Sequence, residues 1–153
     1  MKYIIGVIGT GDAADKDIVI AEQVGKLVAE NNCILLCGGM DGVMEAACRG
    51  AKSAGGTTIG IIPGTSGTES NPYVDIPIVT GMGHGRNIIV VRSSQAIIAI
   101  GGSYGTLSEI AFALRLKIPV IGIRTWDVSS DIKKARSPQE AVDMAIRSCR
   151  TNS

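Results

Sequence analysis

The chain has 153 residues and a formal net charge of +1, with no long run of either sign, which excludes the electrostatic footprint of a nucleic-acid binder. Its length sets one domain, residues 1–153, as the expectation; 45% apolar content with 3% aromatic residues requires a core of Ile, Val, Leu and Ala. No apolar run approaches the roughly 18 residues of a membrane span, and no basic-then-apolar leader precedes the first strand, so a cytoplasmic protein without a membrane partner is expected.

Tyr3–Ile8 (YIIGVI) reads as the first strand. Gly9-Thr10-Gly11-Asp12-Ala13-Ala14 follows, and Ile20, Val24, Leu27 and Val28 line one face of a helix ending near Asn31-Asn32. Cys33–Leu36 is strand two and runs into Cys37-Gly38-Gly39-Met40-Asp41-Gly42. Val43, Ala46, Ala47, Gly50, Ala51 and Ala54 give the next helix so small a face that it is expected to lie very close to the sheet, and Gly55-Gly56 stops it. Thr58–Ile62 is strand three. The polar stretch from Pro63 to Pro72 is expected to be the most mobile part. Val74–Val79 is strand four and ends at Gly81-Met82-Gly83-His84-Gly85-Arg86. Asn87–Ser94 has a strand-like composition, but a parallel connection needs a crossover, so a helix is predicted.

Ala96–Ile100 is a continuous apolar run, as in a strand covered on both faces. Gly101-Gly102-Ser103-Tyr104-Gly105-Thr106 then makes a tight turn. Leu107, Ile110, Ala111 and Leu114 form the apolar face of the following helix, and Val120–Ile123 is another buried strand. After a polar linker, Ser137-Pro138-Gln139-Glu140 opens the last helix with proline at its first position and a capping-box pattern.

This alternation predicts an α/β fold: a Rossmann-like three-layer α/β/α domain with a mainly parallel sheet of about six to seven strands. In such sheets ligands sit beyond the carboxyl ends of the strands. The turns at those ends read GTG, CGGMDG, PGTSG, GMGHG and GGSYG, whereas most turns entering strands are plainer. Side-chain-poor backbone therefore gathers at one edge of the sheet, which suits a ligand approaching the backbone. The glycine turn between Ile100 and the next helix offers N–H groups and a positive dipole end to an anion.

Gly9-Thr10-Gly11-Asp12-Ala13-Ala14 fits G-x-G-x-x-A, but a dinucleotide site needs an acidic residue about 20 residues on. Cys37-Gly38-Gly39 stands there instead, which leaves a plain glycine turn or a mononucleotide or phosphate-bearing ligand. Thr106-Leu107-Ser108-Glu109 is a capping-box pattern, so Glu109 reads as a helix cap or as an acid beside a ligand. Arg86 reads equally as a surface cation or an anion clamp. His84 reads first as packed or solvated, and Asp41 and Glu45 as partners of a helix dipole. Cys33, Cys37, Cys48 and Cys149 lack C-x-x-C spacing and read as buried reduced thiols. With one histidine no protein-built zinc site is expected, and neither an α/β-hydrolase elbow nor a P-loop is present.

Cys37–Ala46 (CGGMDGVMEA) resembles the GGxxGxM segment, and Gly101–Glu109 the PGGxGTxxE segment, of the LONELY GUY-type superfamily, whose members were also labelled lysine decarboxylase-like. Gly55–Pro63, Asn71–Gly81, Arg86–Val91 and Gly105–Gly122 are similar to its molybdenum-cofactor carrier-like branch. The resemblance implies a Rossmann-like fold and a homo-oligomer, a dimer or a dimer of dimers. It also implies either a carrier or a phosphoribohydrolase that cleaves a nucleoside 5′-monophosphate into base and ribose 5-phosphate. Glu109 matches the catalytic glutamate of the hydrolases, Arg86 their catalytic arginine, and Gly102, Gly105 and Thr106 their phosphate-binding turn. Gly101 replaces the motif proline, Ser103 its second glycine, and Asn87 the lysine after the arginine. These departures favour the carrier branch.

The expected function is therefore binding of a phosphate-bearing, nucleotide-like ligand, with molybdenum cofactor as the carried molecule and no cofactor required. The phosphate would rest on Gly102, Ser103, Tyr104, Gly105 and Thr106, with Arg86 adding charge and Gly9, Thr10, Gly11, Gly38 and Gly39 approaching the rest. The alternative is the phosphoribohydrolase, with Glu109 and Arg86 as catalytic residues. No lysine sits where a pyridoxal phosphate Schiff base would be expected, so a lysine decarboxylase is not.

Overall fold

A computed structural model describes residues 1–152. Among these residues seven strands form one parallel sheet: β1 (Ile4–Ile8), β2 (Ile34–Cys37), β3 (Thr58–Ile62), β4 (Ile76–Val79), β5 (Ala96–Ile100), β6 (Val120–Ile123) and β7 (Lys133–Lys134). Their order is β4-β3-β2-β1-β5-β6-β7, with every neighbouring pair parallel. The chain winds outward from β1 to β4, then returns to lay β5 on the other side of β1. The direction of winding thus reverses between β1 and β5, where a crevice opens at the carboxyl ends of the strands.

Three helices, α1 (Asp15–Glu30), α2 (Val43–Ser53) and α5 (Pro138–Thr151), cover one face over Ile5, Val7, Leu35, Ile98 and Ile121. Two others, α3 (Asn87–Arg92) and α4 (Tyr104–Arg115), cover the opposite face over Leu36, Ile61, Ile97 and Ala99. The crossover predicted for Asn87–Ser94 is a 3-10 turn, Gly83–Arg86, continuing into α3. Topology overrides β-branched propensity here, because the chain must cross the sheet to begin a parallel β5. At the last helix, Ser137 Oγ accepts the Glu140 N–H at 3.1 Å, and Glu140 Oε2 accepts the Arg136 N–H at 2.7 Å.

Three expectations are corrected. The small face of α2 brings it closest to α1 rather than to the sheet. A Cβ on Gly50 would lie 1.9 Å from the Glu22 carbonyl oxygen, and one on Gly25 would lie 1.9 Å from that of Ala47. The two helix backbones interlock through these glycines. The stretch after β3 is also well tied. Glu69 Oε1 accepts the Thr65 and Ser66 N–H groups, and Asn71 bonds the carbonyls of Gly39 and Met40. Finally, β4 begins at Ile76 rather than at Val74, and it is exposed along its length. Ile76 and Ile78 pair with Ile59 and Ile61 on the face that α3 and α4 cover only elsewhere. The connection after β3 carries a 3-10 turn, Gly67–Glu69, rather than a helix, so no helix shields this end.

The α1–α2 interlock gives a direct test. Gly50→Ala is expected to destabilise the fold by about 1–3 kcal/mol through overpacking against backbone, although alanine is the better helix former. The urea midpoint measures it, and an unchanged or higher midpoint contradicts the interlock.

Candidate functional site

The site lies at the β1/β5 reversal. A cavity of about 170 Å³ is bounded by Gly9, Thr10 and Gly11 after β1, Gly38 after β2, His84 and Arg86 before α3, Asn87 at its start, Ser103 just before α4, and Gly105, Thr106 and Glu109 on it. Most of the residues expected at the site therefore converge. Gly39 lies just behind Gly38, its N–H bonded to Cys37 Sγ and its carbonyl held by the Asn71 N–H. Gly102 belongs to the turn but faces a neighbouring recess, and the Tyr104 side chain projects into solvent. His84 stands exposed at the rim.

Arg86 is buried. Its Nε–H donates to the Ile61 carbonyl at the end of β3 (2.9 Å), Nη2 to the Gly38 carbonyl after β2 (3.3 Å), and Nη1 to Asn87 Oδ1. A Cβ at Gly38 would meet Nη2 at 2.7 Å, so the guanidinium fills the space a side chain would take. Arg86 is thus an internal cation at the edge of the cavity, not a surface residue. Two of its five N–H donors have no hydrogen-bond partner among the described residues. Asn87 replaces the lysine of the hydrolase pattern and has a structural role. Its Oδ1 holds Arg86 and its Nδ2 reaches Ser108 Oγ on α4 at 3.3 Å.

The expected capping box is absent. Ser103 is extended, so α4 starts at Tyr104, and Thr106 and Glu109 lie within the helix rather than bracketing its start. No side chain caps this terminus, which leaves the N–H groups of Tyr104, Gly105 and Thr106 for another acceptor. Among the described residues, Thr106 Oγ1 is buried without a hydrogen-bond partner. Glu109 is buried one turn on, and no hydrogen bond reaches its carboxyl among the described residues. Burial pushes the Glu109 carboxyl up to about 8, against a smaller downward pull from the Arg86 guanidinium. At neutral pH it is therefore mostly a neutral acid, a proton donor rather than a fixed anion.

The substitution at position 101 has a geometric cause. Gly101 has φ +55°, which proline with its φ near −65° cannot adopt. The Asp17 carboxylate occupies the space beside it, 2.4 Å from an added Cβ. Asp17 also accepts the Arg124 Nε–H at 3.1 Å. The sequence did not single out Asp17 or Arg124, which are 107 positions apart. Many glycines of this edge likewise serve internal packing; Gly9, for example, admits Val43 and the Ile100 carbonyl. Gly11 and Gly105 differ, since an added Cβ there meets nothing closer than 4.0 Å. Below the site, Cys37 and Cys48 are buried with their sulfurs 3.5 Å apart. The hydrogen bond between them lowers the Cys37 thiol, and the same bond together with burial raises that of Cys48. No disulfide joins any of the four cysteines, in keeping with buried reduced thiols.

The model of the SLOG cluster4 family matches residues 2–149. The chain belongs to this family. Among solved structures, it is 40% identical to the molybdenum cofactor binding protein of Rippkaea orientalis, covering 96% of this chain and 97% of that one with a TM-score of 0.91. It is also 40% identical to the molybdenum cofactor carrier protein of Chlamydomonas reinhardtii, covering 97% and 99% with a TM-score of 0.89. A probable cytokinin riboside 5′-monophosphate phosphoribohydrolase of Oryza sativa subsp. japonica is 36% identical over 93 residues, 59% of this chain and 41% of that protein. The resemblance to the LONELY GUY-type superfamily and to its carrier branch is borne out, as is the Rossmann-like fold. No helix among the described residues is long and apolar enough to cross a membrane.

Glu109 sets a pH dependence. Its ordinary value is 4.5, so between about pH 4.5 and 8 the folded chain holds a proton that the unfolded chain has released. This contribution to stability is complete below pH 4.5 and is lost as pH rises through 8, with a slope of up to roughly 1.4 kcal/mol per pH unit. Glu109→Gln, which stays neutral, is expected to remove that slope. Urea unfolding of both proteins from pH 5.5 to 8.5 measures it; parallel profiles contradict a buried neutral acid.

Proposed function

We propose that this protein binds a phosphate-bearing, nucleotide-like ligand at the β1/β5 reversal, with molybdenum cofactor as its cargo, and acts as a carrier in the cytoplasm as a single domain. The observation that carries the reading is the unpartnered, buried Thr106 hydroxyl at an uncapped helix start. A phosphate there would accept from Thr106 Oγ1 and the N–H groups of Gly105 and Thr106, at the positive end of the α4 dipole. Arg86 adds a charge that its backbone bonds hold in place, and neutral Glu109 adds a donor without repelling the anion. The likeness to proteins described as binding or carrying molybdenum cofactor supports that ligand.

A second reading is a nucleoside 5′-monophosphate phosphoribohydrolase. The raised Glu109 pKa favours it, because a carboxyl near 8 can protonate a leaving base at neutral pH. Arg86 would then offset charge developing at the phosphate end. The departures at positions 101, 103 and 87 weigh toward holding a ligand.

The exposed, apolar Ile76 and Ile78 on β4, 47% and 44% accessible, support a homo-oligomer, because a parallel sheet is ordinarily covered on both faces.

Gly105→Asp separates binding from folding. The added side chain enters open space and an acid in the first helical turn is favourable, so stability is expected to hold. Calorimetry with AMP and with molybdopterin should show binding by the native protein and at least ten-fold weaker binding by the variant. No binding by the native protein, or equal binding by both, overturns the reading. Release of free base from AMP, abolished by Glu109→Gln, would establish the hydrolase instead. For the oligomer, Ile78→Lys is expected to shift the sedimentation coefficient to that of a monomer; a monomeric native protein contradicts the proposed assembly.

A further inference from the structure

The cavity at Thr106 is small. At about 170 Å³ it falls below the roughly 300 Å³ at which pockets begin to enclose a whole small molecule. At that size it suits a phosphate and an attached sugar, and the ring of a nucleotide-like ligand would lie outside. The same glycine turn borders a second recess of about 370 Å³, lined by Asp17, Gly101, Gly102, Arg124, Thr125 and Trp126.

The wall of this recess is fixed by three contacts of the loop after β6, one with α1 and two with the turn after β5. Arg124, in the left-handed region at φ +52°, donates to Asp17. Thr125 Oγ1 donates to the Gly101 carbonyl at 2.5 Å, and Trp126 Nε1 donates to the Ser103 carbonyl at 3.0 Å. The indole is thereby held beside the start of α4. Tyr104, the first residue of that helix, stacks on it with ring centroids 6.2 Å apart and planes inclined by 24°. Tyr104 is 82% exposed, so folding leaves most of its ring in water. Two of the chain's few aromatic residues thus form an oriented, open surface next to the N–H groups assigned to the phosphate.

We propose that Tyr104 and Trp126 form the shelf on which the planar nitrogen heterocycle of the ligand, a purine or a pterin, stacks. The proposal rests on the phosphate-binding reading above and deepens it. Aromatic faces hold such rings with little regard to their substituents. The Asp17–Arg124 pair and the carbonyls of the turn supply the polar groups that the ring edge would meet.

Trp126 is the only tryptophan, so its emission reports the shelf directly. The probes are AMP, molybdopterin kept anaerobic, and ribose 5-phosphate, which has the phosphate and sugar but no ring. At least one ring-bearing probe is expected to quench Trp126 emission saturably, whereas ribose 5-phosphate binds more weakly and leaves it unchanged. Tyr104→Ala, a change at an exposed side chain, is expected to weaken the ring-bearing probe about ten-fold and ribose 5-phosphate less than two-fold by calorimetry. Equal binding of all probes by the native protein, or ring-bearing binding unaffected by Tyr104→Ala, overturns the shelf while leaving the phosphate site standing. An emission change that follows only protein concentration also overturns it, because it assigns the pair to contact between copies. No binding of any probe overturns both readings.

Discussion

A positive charge is buried at the carboxyl edge of the sheet, and its neighbours are arranged to accommodate it. A guanidinium removed from water must be hydrogen-bonded. Arg86 meets this requirement by binding carbonyls at the ends of two strands and the amide of Asn87. Asn87 in turn reaches α4 through Ser108. One residue therefore ties β2, β3, α3 and α4 together where the strands end. Glycine at 38 is needed to make room for it.

The same charge sits near Glu109 yet does not ionise it at neutral pH, since desolvation outweighs the attraction. The site is consequently not a closed ion pair. It pairs a cation fixed by backbone with an acid that keeps its proton, next to an uncapped helix start and an unpartnered hydroxyl. On the proposed reading, all four features would favour an incoming anion. They also explain why a glutamate that looks catalytic by motif is compatible with merely holding a ligand.

Much of this was legible in the sequence. β3, β5 and β6 have the predicted limits because each is a largely apolar run between turn residues. The crossover at α3 followed from topology rather than composition. The site residues converge because motifs at successive strand ends share one edge of a parallel sheet. The helix start at 104 was not legible, since Thr106 and Ser103 are both acceptable caps and only the turn's backbone chooses between them. Nor were Asp17, Arg124 and Trp126, whose contacts bridge 23 to 107 positions without any local pattern. β7, only two residues of lysine, carries no strand signal. The exposure of β4 depends on the missing helix after β3, a property of the connection and not of the strand.

The left-handed turn at Gly101 bears on how such sites diverge. Glycine at φ +55° with a carboxylate in the space beside it is one solution; a proline needs the opposite sign of φ and a vacated neighbour. Positions 101 and 17 are therefore coupled sterically. The turn is thus specified through space as well as through its backbone: a side chain at 101 would need the room that the Asp17 carboxylate fills.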